Sequence, residues 1–573
     1  MPPVEVSSLL EGLSARVEEL ERRIAALENP QPAQILERKT PAAVATANVN
    51  VNITVEEGAP APLQPSVFSI FGRCVLGMAG AYLLRAAAES GIFPRWVALI
   101  LALAYAASWL AWAAWPGSQT RLVRYFYAST AALILLPMLW ESTVRFRMLE
   151  PPVTATVLAA FALLAMILAW RSNVSAVLWV GIPTSVIAAL VLMAGTRALV
   201  PFVLALLFMT LLCEFAGSRG RWLGLRPVVA VAADLGILVV IIILGDTRAV
   251  PTEYHAVAGG VILALALALW GIYLVSLVVG SLILRQKING FEGTQFFATA
   301  LLAGWATLRS TQGAGLPALG VSCLVLGAAC YFVAFGLLAR DRSYPNFRFY
   351  AASAVVFVMA GSFLALPTVA LVIWLCVAAV TATTLSVRMH SAALDLHGVV
   401  YLGGALVASG LAAYAGRALV GSYPGMPGAL LLAAPTAALL CTAVVSRYAG
   451  EHSGERLLRL LPAVLAVYAV AGLAVAGLVW MTARGNEPTL PLLAVIRTVV
   501  TGVAALLLAF VGARRQRIEL VWMAYAAAVL GCLKLVVEDL RLGNTRSLAA
   551  SLLIYGGVLV LIPRLVRAGK RTA

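Results

Sequence analysis

Eight ionisable side chains fall within or at the edges of otherwise apolar runs: Arg73, Glu141, Glu214, Asp234, Arg497, Lys534, Glu538 and Asp539. Asp234 is the plainest, being the sole charge between Val228 and Leu244. A carboxylate in hydrocarbon is costly, and it persists where it has a partner or handles a proton, an ion or a substrate. At 1.5 Å per residue, Arg73 and Asp234 lie roughly 10 Å from one end of their helices, with Glu214 nearer that surface. Arg497 lies roughly 10 Å in from the opposite side, and Glu141, Lys534, Glu538 and Asp539 sit at or near that outer boundary. The inner set (Arg73, Glu214, Asp234) and the outer set each contain both signs. Two readings are open. The sets could form polar vestibules on a path for a small polar or charged substrate. They could instead be ion pairs that lock helices together, with Lys534 snorkelling to the interface and pairing with Glu538 four residues on. The second weighs more, because no acid lies near mid-bilayer, where a proton relay most needs one. Equal depth and opposite charge predict that Asp234 pairs with Arg73.

The elements that must position these groups follow from composition. The chain has 573 residues, 62% hydrophobic and 12% charged, with a mean hydropathy of +0.95. Soluble domains carry about 25% charged residues, whereas an apolar helix of about twenty residues crosses the hydrocarbon core. The predicted fold is all-α, a polytopic integral membrane array of about eighteen transmembrane helices over residues 66–566. The spans begin near residues 67, 95, 123, 152, 174, 199, 227, 256, 294, 316, 348, 367, 397, 427, 460, 490, 518 and 547. The net charge of +16 is concentrated in short loops, which points to the lipid bilayer as the partner and excludes nucleic acid. One side carries Arg219, Arg221, Arg226, Arg340, Arg342, Arg514, Arg515 and Arg517, together with a basic tail over 567–573. The other side carries about half as many basic residues, so the positive-inside rule assigns the richer side to the cytoplasm. An even span count then places both termini there, in a bacterial cytoplasmic (inner) membrane.

The first thirty residues are periodic. Leu10, Val17 and Ile24 occupy heptad a positions and Leu13, Leu20 and Leu27 occupy d positions, the seam of a coiled coil. Arg16 with Glu21 and Arg23 with Glu28 supply g-to-e pairs between parallel chains. This predicts a cytoplasmic coiled-coil helix over 1–30 and a homodimer through residues 4–28. A single amphipathic helix on a partner or on the membrane stays open, since about three heptads are marginal alone. Residues 31–65, rich in Ala, Pro, Asn and Thr, read as a flexible linker.

Other motifs carry little chemistry. The seven cysteines include no C-x-x-C pair and read as small core residues. His390, Asp395 and His397 make a poor metal site without a fourth ligand, and no P-loop is present, so no metal or cofactor is expected. Gly77/Ala81 and Gly404/Ala408 suit close helix approach, and Trp109, Trp112 and Trp115 read as interfacial anchors.

The opening hairpin, Phe71-Gly72-Arg73 through Gly77, Gly80, Leu83-Leu84-Arg85 and Glu89-Ser90-Gly91, resembles the bacterial membrane-protein family labelled domain of unknown function 2339. So does the close, Leu533-Lys534-Leu535-Val536-Val537-Glu538-Asp539-Leu540, followed by an apolar helix and a basic tail. The resemblance implies the same architecture, a short coiled coil, a linker and a long helix array, and carries no activity. The expected function is a non-enzymatic membrane scaffold that self-associates or recruits a partner through its coiled coil. The alternative is a transporter or channel-like protein for a small polar or charged solute, with a polar cavity and discontinuous spans near Pro183, Pro201 or Pro435. A membrane enzyme acting on lipid-linked sugars ranks last, because the outer loops are short.

Overall fold

A computed structural model describes residues 67–90, 94–115, 120–246, 250–338, 345–448, 456–483, 488–542 and 544–571, all within the unit Pro65–Ala573. The predicted coiled-coil seam and linker lie outside the described residues. The first helices are α1 (Val67–Glu89), α2 (Arg95–Ala114), α3 (Arg121–Trp140), α4 (Pro151–Ser172), α5 (Ser175–Thr196) and α6 (Leu199–Ser218). Next come α7 (Arg226–Leu244), α8 (Gly259–Val278), α9 (Gly290–Ser310), α10 (Leu316–Tyr331), α11 (Pro345–Ala365), α12 (Thr368–Met389) and α13 (Ala392–Ala408). The chain closes with α14 (Leu411–Val420), α15 (Ala433–Tyr448), α16 (Arg456–Ala483), α17 (Leu490–Arg514), α18 (Ile518–Lys534) and α19 (Thr545–Arg571). No strand occurs among the described residues.

Fourteen helices are long and apolar enough to cross a membrane, and α13 with α14 makes up to fifteen if that bent pair is one span. The apolar stretches at α1 and α15, Phe71–Leu83 and Ala429–Val445, are shorter. Helix α9 is outside the fourteen because Glu292, Thr294, Gln295 and Thr299 lower its hydropathy. The final helix runs on to Arg571, so no structural break separates it from the expected basic tail. Residues 567–571 contain no proline, and cationic side chains suit a helix C-terminus.

The discontinuity falls elsewhere than at the predicted prolines. Helices α13 and α14 bend by 73° around Gly410, whose φ of +76° is left-handed backbone that favours glycine. Pro201 and Pro435 occupy the first turns of α6 and α15, where a missing N–H costs little. Pro183 lies inside an unbroken α5. There Thr184 Oγ1 donates to the Val180 carbonyl at 2.7 Å and Ser185 Oγ to the Gly181 carbonyl at 2.9 Å, a side-chain use of the carbonyls around a proline that membrane helices tolerate.

Packing is mainly between neighbours in sequence, and the buried side chains fall into five clusters arranged along the chain. The largest joins α1 to α9. Between α10 and α11 the backbones themselves meet. A Cβ on Gly361 would lie 2.6 Å from the Gly320 carbonyl oxygen, and one on Gly320 would lie 2.7 Å from the Ala365 nitrogen. Lipid tails are as apolar as leucine, so small residues that permit such contact are a chief source of helix affinity in a bilayer. Large aliphatic side chains cover the outside, as at Leu76, Leu301 and Leu553. Trp109 departs from its expected place as an interfacial anchor. It is buried, and its ring fills the space beside Gly77, where a Cβ would lie 2.4 Å away.

Candidate functional site

Most of the charged residues of the spans assemble into two networks, with Asp234 and Glu141 held separately. The first sits where the ends of α6 and α8 meet the starts of α7 and α9. Arg226, the first residue of α7, is its hub. Its Nε donates to Glu214 Oε1 at 2.9 Å and its Nη2 to Glu214 Oε2 at 2.5 Å, the bidentate fork that arginine geometry favours. Its Nη1 donates to Glu292 Oε1 at 2.9 Å, and Ser276 Oγ from α8 donates to Glu214 Oε2 at 2.6 Å. Glu292 is held by a capping box with Asn289 at the start of α9. Gly217 leaves room for the arginine stem, since a Cβ there would stand 2.7 Å from Arg226 Cδ. One guanidinium thus ties α6 to α7 and α7 to α9. The Tyr273 hydroxyl, one turn before Ser276, is buried with no hydrogen-bond partner.

Asp234 belongs to the same side of the bundle, two turns into α7. Its expected partner was Arg73, and the structure gives it another. Gln295 Nε2 donates to Asp234 Oδ1 at 2.9 Å and to Oδ2 at 2.8 Å. Arg73 is exposed on α1, a helix that packs on α2 and α3, so the pair is separated by the order of helices around the array. Depth alone says nothing about that order. Asp234 is half-buried and lines an otherwise apolar groove formed with Val231, Leu235, Ala298, Leu301 and Trp305. The groove lies on the outer wall, because Val231 and Leu301 are exposed.

The second group collects Arg497, Lys534, Glu538 and Asp539. Arg497 Nη1 donates to Glu538, and Lys534 Nζ donates to Asp539. Lys534 Nζ also donates to the Ala494 carbonyl at 2.6 Å and to Thr498 Oγ1 at 2.7 Å. Ser551 Oγ on α19 donates to Asp539 Oδ1 at 2.7 Å. The four charges sum to zero. The predicted Lys534–Glu538 pair is present but loose, at 3.7 Å, and the nearer acid is Asp539. The cause is a π turn at Leu535–Asp539. Five residues of α-helix would carry Asp539 about 140° around the axis from Lys534, and the wider turn brings it back to the same face.

Arg497 does a second thing. Its Nε donates to the Ala418 carbonyl at 2.8 Å, and its Nη2 donates to the carbonyls of Arg417, at 3.3 Å, and Gly421. These carbonyls lie at the C-terminal end of α14, where a helix runs out of its own donors; only that of Arg417 also has a local one, the Gly421 N–H at 2.9 Å. A buried guanidinium therefore caps the short half of the bent pair and links it to the acid beyond α18.

Glu141, placed with the outer set from the sequence, stands apart from it. It begins a π turn at Glu141–Arg145 and pairs with Arg85 of α1 at 2.7 Å and with Arg145 at 3.9 Å. His397 is buried and lies 2.7 Å, through Nδ1, from the Tyr331 hydroxyl, which is itself 2.7 Å from the Tyr401 hydroxyl. His390 is exposed at the end of α12. No cluster of His, Cys, Asp and Glu fit to hold a metal occurs among the described residues.

Sequence reasoning picked out the acids better than their partners. Arg226 reads as a loop charge, yet it is the buried hub. Gln295, Ser276, Thr498 and Ser551 carry no charge to mark them in an apolar run. A signal was available for Gln295, since an amide in a span needs a partner much as an acid does.

Comparison with protein-family models, with curated proteins and with solved structures gives no match.

Proposed function

We propose that the chain is a non-enzymatic scaffold of the bacterial cytoplasmic membrane, self-associating or recruiting a partner through the heptads of residues 4–28. In this reading α1, α9, α15 and the α13/α14 pair cross with the fourteen long apolar helices, making eighteen crossings with both termini cytoplasmic. The resemblance to the domain of unknown function 2339 family motivates the same reading. The supporting observation is that most of the buried charges in the helices are spent on one another. Arg226 with Glu214 and Glu292, and Arg497 and Lys534 with Glu538 and Asp539, tie helices together. The test is the mass of the detergent-solubilised full-length protein by light scattering, for wild type and for Leu13→Lys/Leu20→Lys. A dimer that becomes a monomer in the variant supports assembly through the coiled coil. A dimer that persists overturns it.

A second reading, a carrier for a small polar solute, draws on the bent α13/α14 pair. Discontinuous helices with ends facing fixed charge are the usual substrate and ion sites of carriers. Solute uptake by proteoliposomes, lost in a folded Arg497→Lys variant, would favour it over the scaffold.

A further inference from the structure

A cavity of about 790 Å³ opens between α15, α16 and α17, closed at one end by the first turn of α18. That volume lies within the span of small-molecule sites, about 300–1,000 Å³. Along α16 its wall runs from Leu460 to Leu478, about 27 Å of helix at 1.5 Å per residue, or most of the thickness of the hydrocarbon core. The wall is aliphatic, and alanines interrupt it, among them Ala463 and Ala474 of α16 and Ala504 of α17, whose side chains cannot reach across to the facing helix. Two buried clusters, one around Val475 and Val500 and the other around Ala509 and Val558, flank this position without merging. The groove is open along one side, where Leu439, Val503 and Leu507 are exposed, so another molecule can enter it laterally and fill the space that the three helices leave between them.

Polarity identifies its kind. The lining is apolar except for Thr442 on one wall and a single end, where the α17–α18 connection supplies Arg515, Gln516, Arg517 and Glu519. Arg517 Nη2 donates to the Val445 carbonyl at 3.0 Å, which commits part of its fork to holding α15. Arg514 lies instead over the Phe510 ring, at 4.7 Å. Arg515 is exposed and lines the mouth. Two arginines against one glutamate leave the mouth net positive. An apolar slot as long as a membrane leaflet or more, with a cationic mouth at one membrane surface, complements an amphiphile with a long chain and an anionic head.

We propose that this groove binds an anionic phospholipid, with an acyl chain along α16 and the phosphate at Arg515. The inference goes beyond the scaffold reading and does not depend on it. Lipids of the same charge class would enter from the leaflet that borders the mouth, and arginine suits a phosphate because its planar fork matches two oxygens at once.

The test equilibrates purified full-length protein with detergent micelles holding equal amounts of phosphatidylglycerol and phosphatidylcholine, washes it, and counts the retained lipids by mass spectrometry. The expected result is roughly tenfold enrichment of phosphatidylglycerol, the scale of a single well-placed charge interaction. Arg515→Gln should keep a lipid bound and bring the ratio near one. Ala474→Phe/Ala504→Phe, which fills the slot, should lower retention of both lipids. Equal retention of the two lipids by wild type overturns the proposal, as does retention unchanged in the filled variant. Displacement by millimolar inorganic phosphate would show an anion site without a chain, and would also overturn it. If the filled variant does not fold, Arg515→Gln decides, because an exposed side chain is replaced. An unchanged ratio there is fatal to the idea.

Discussion

Arg497 has more to lose than any other charged side chain in the spans. Removing one partner of a buried ion pair strands the other and costs about 3–5 kcal/mol, so Arg497→Ala should strongly lower the unfolding midpoint in detergent. Pairs of this kind can often be replaced by apolar side chains with little loss. Here Arg497→Met/Glu538→Leu should recover only part of the stability, because the carbonyls of buried Ala418 and of Gly421 lose their arginine donor. Full recovery by the double variant would show that the carbonyl contacts are worth little. Asp234 offers the complementary case. Asp234→Asn and Arg73→Gln should be additive, whereas Asp234→Asn and Gln295→Leu should be coupled by the 0.5 kcal/mol or more seen between contacting side chains. Non-additivity with Arg73 would restore the pairing inferred from depth. The sequence marks these residues because a charge in an apolar run is visible without a fold. It does not disclose partners, since a partner depends on which helices are neighbours and on how each is rotated. Arg226 shows the limit, as a buried hub at a helix start reads like any loop arginine.

At the scale of elements, one close approach dominates. Helices α10 and α11 touch backbone to backbone through Gly320, Gly327 and Gly361, and a Cβ on Gly327 would stand 2.7 Å from Val358 Cγ2 and 3.0 Å from the Val358 nitrogen. Gly327→Leu should therefore cost about 1–3 kcal/mol as an overpacked contact, or push the helices apart. Gly271, with nothing near its Cβ position, is the control, and Gly271→Leu should be nearly silent by thermal unfolding. An equal loss in both would mean that the close contact at Gly327 does not set the effect, since helix propensity alone favours leucine over glycine. Helix positions were readable from hydropathy alone, and helices lie at the stretches named from the sequence. The break at Gly410 was not, because prolines announce themselves in a sequence and a glycine in left-handed backbone looks like any other glycine in a run that holds several. The π turns were hidden for the same reason, as one extra residue per turn leaves composition unchanged.

For the whole molecule, the decisive number is the parity of crossings. Fourteen helices pass by length and apolarity, and α1, α9, α15 and the α13/α14 pair would complete eighteen. Reporter domains fused in turn to the N- and C-termini should both be active on the cytoplasmic side. Opposite results require an odd count and would remove one of the four marginal crossings. Of these α9 is the telling one. Its polar residues depress its hydropathy, yet two of them, Glu292 and Gln295, are the groups that face Arg226 and Asp234. A helix can fail a composition test because it is well integrated, with its polar side chains turned inward to partners on other helices.

The division of the interior into successive clusters also bears on how the chain is made. Helices leave the ribosome in order, and a region whose contacts are with its sequence neighbours can settle before the rest exists. The cluster of α1 to α9 needs nothing synthesised later. The end of α14 is different, because the donor for its last carbonyls is Arg497, 76 to 80 residues further on. Until α17 is made, that end is closed only by the Gly421 N–H on the Arg417 carbonyl. The Ala418 and Gly421 carbonyls thus meet their arginine only when α17 is made, and that arginine meets its acid only when Glu538 follows.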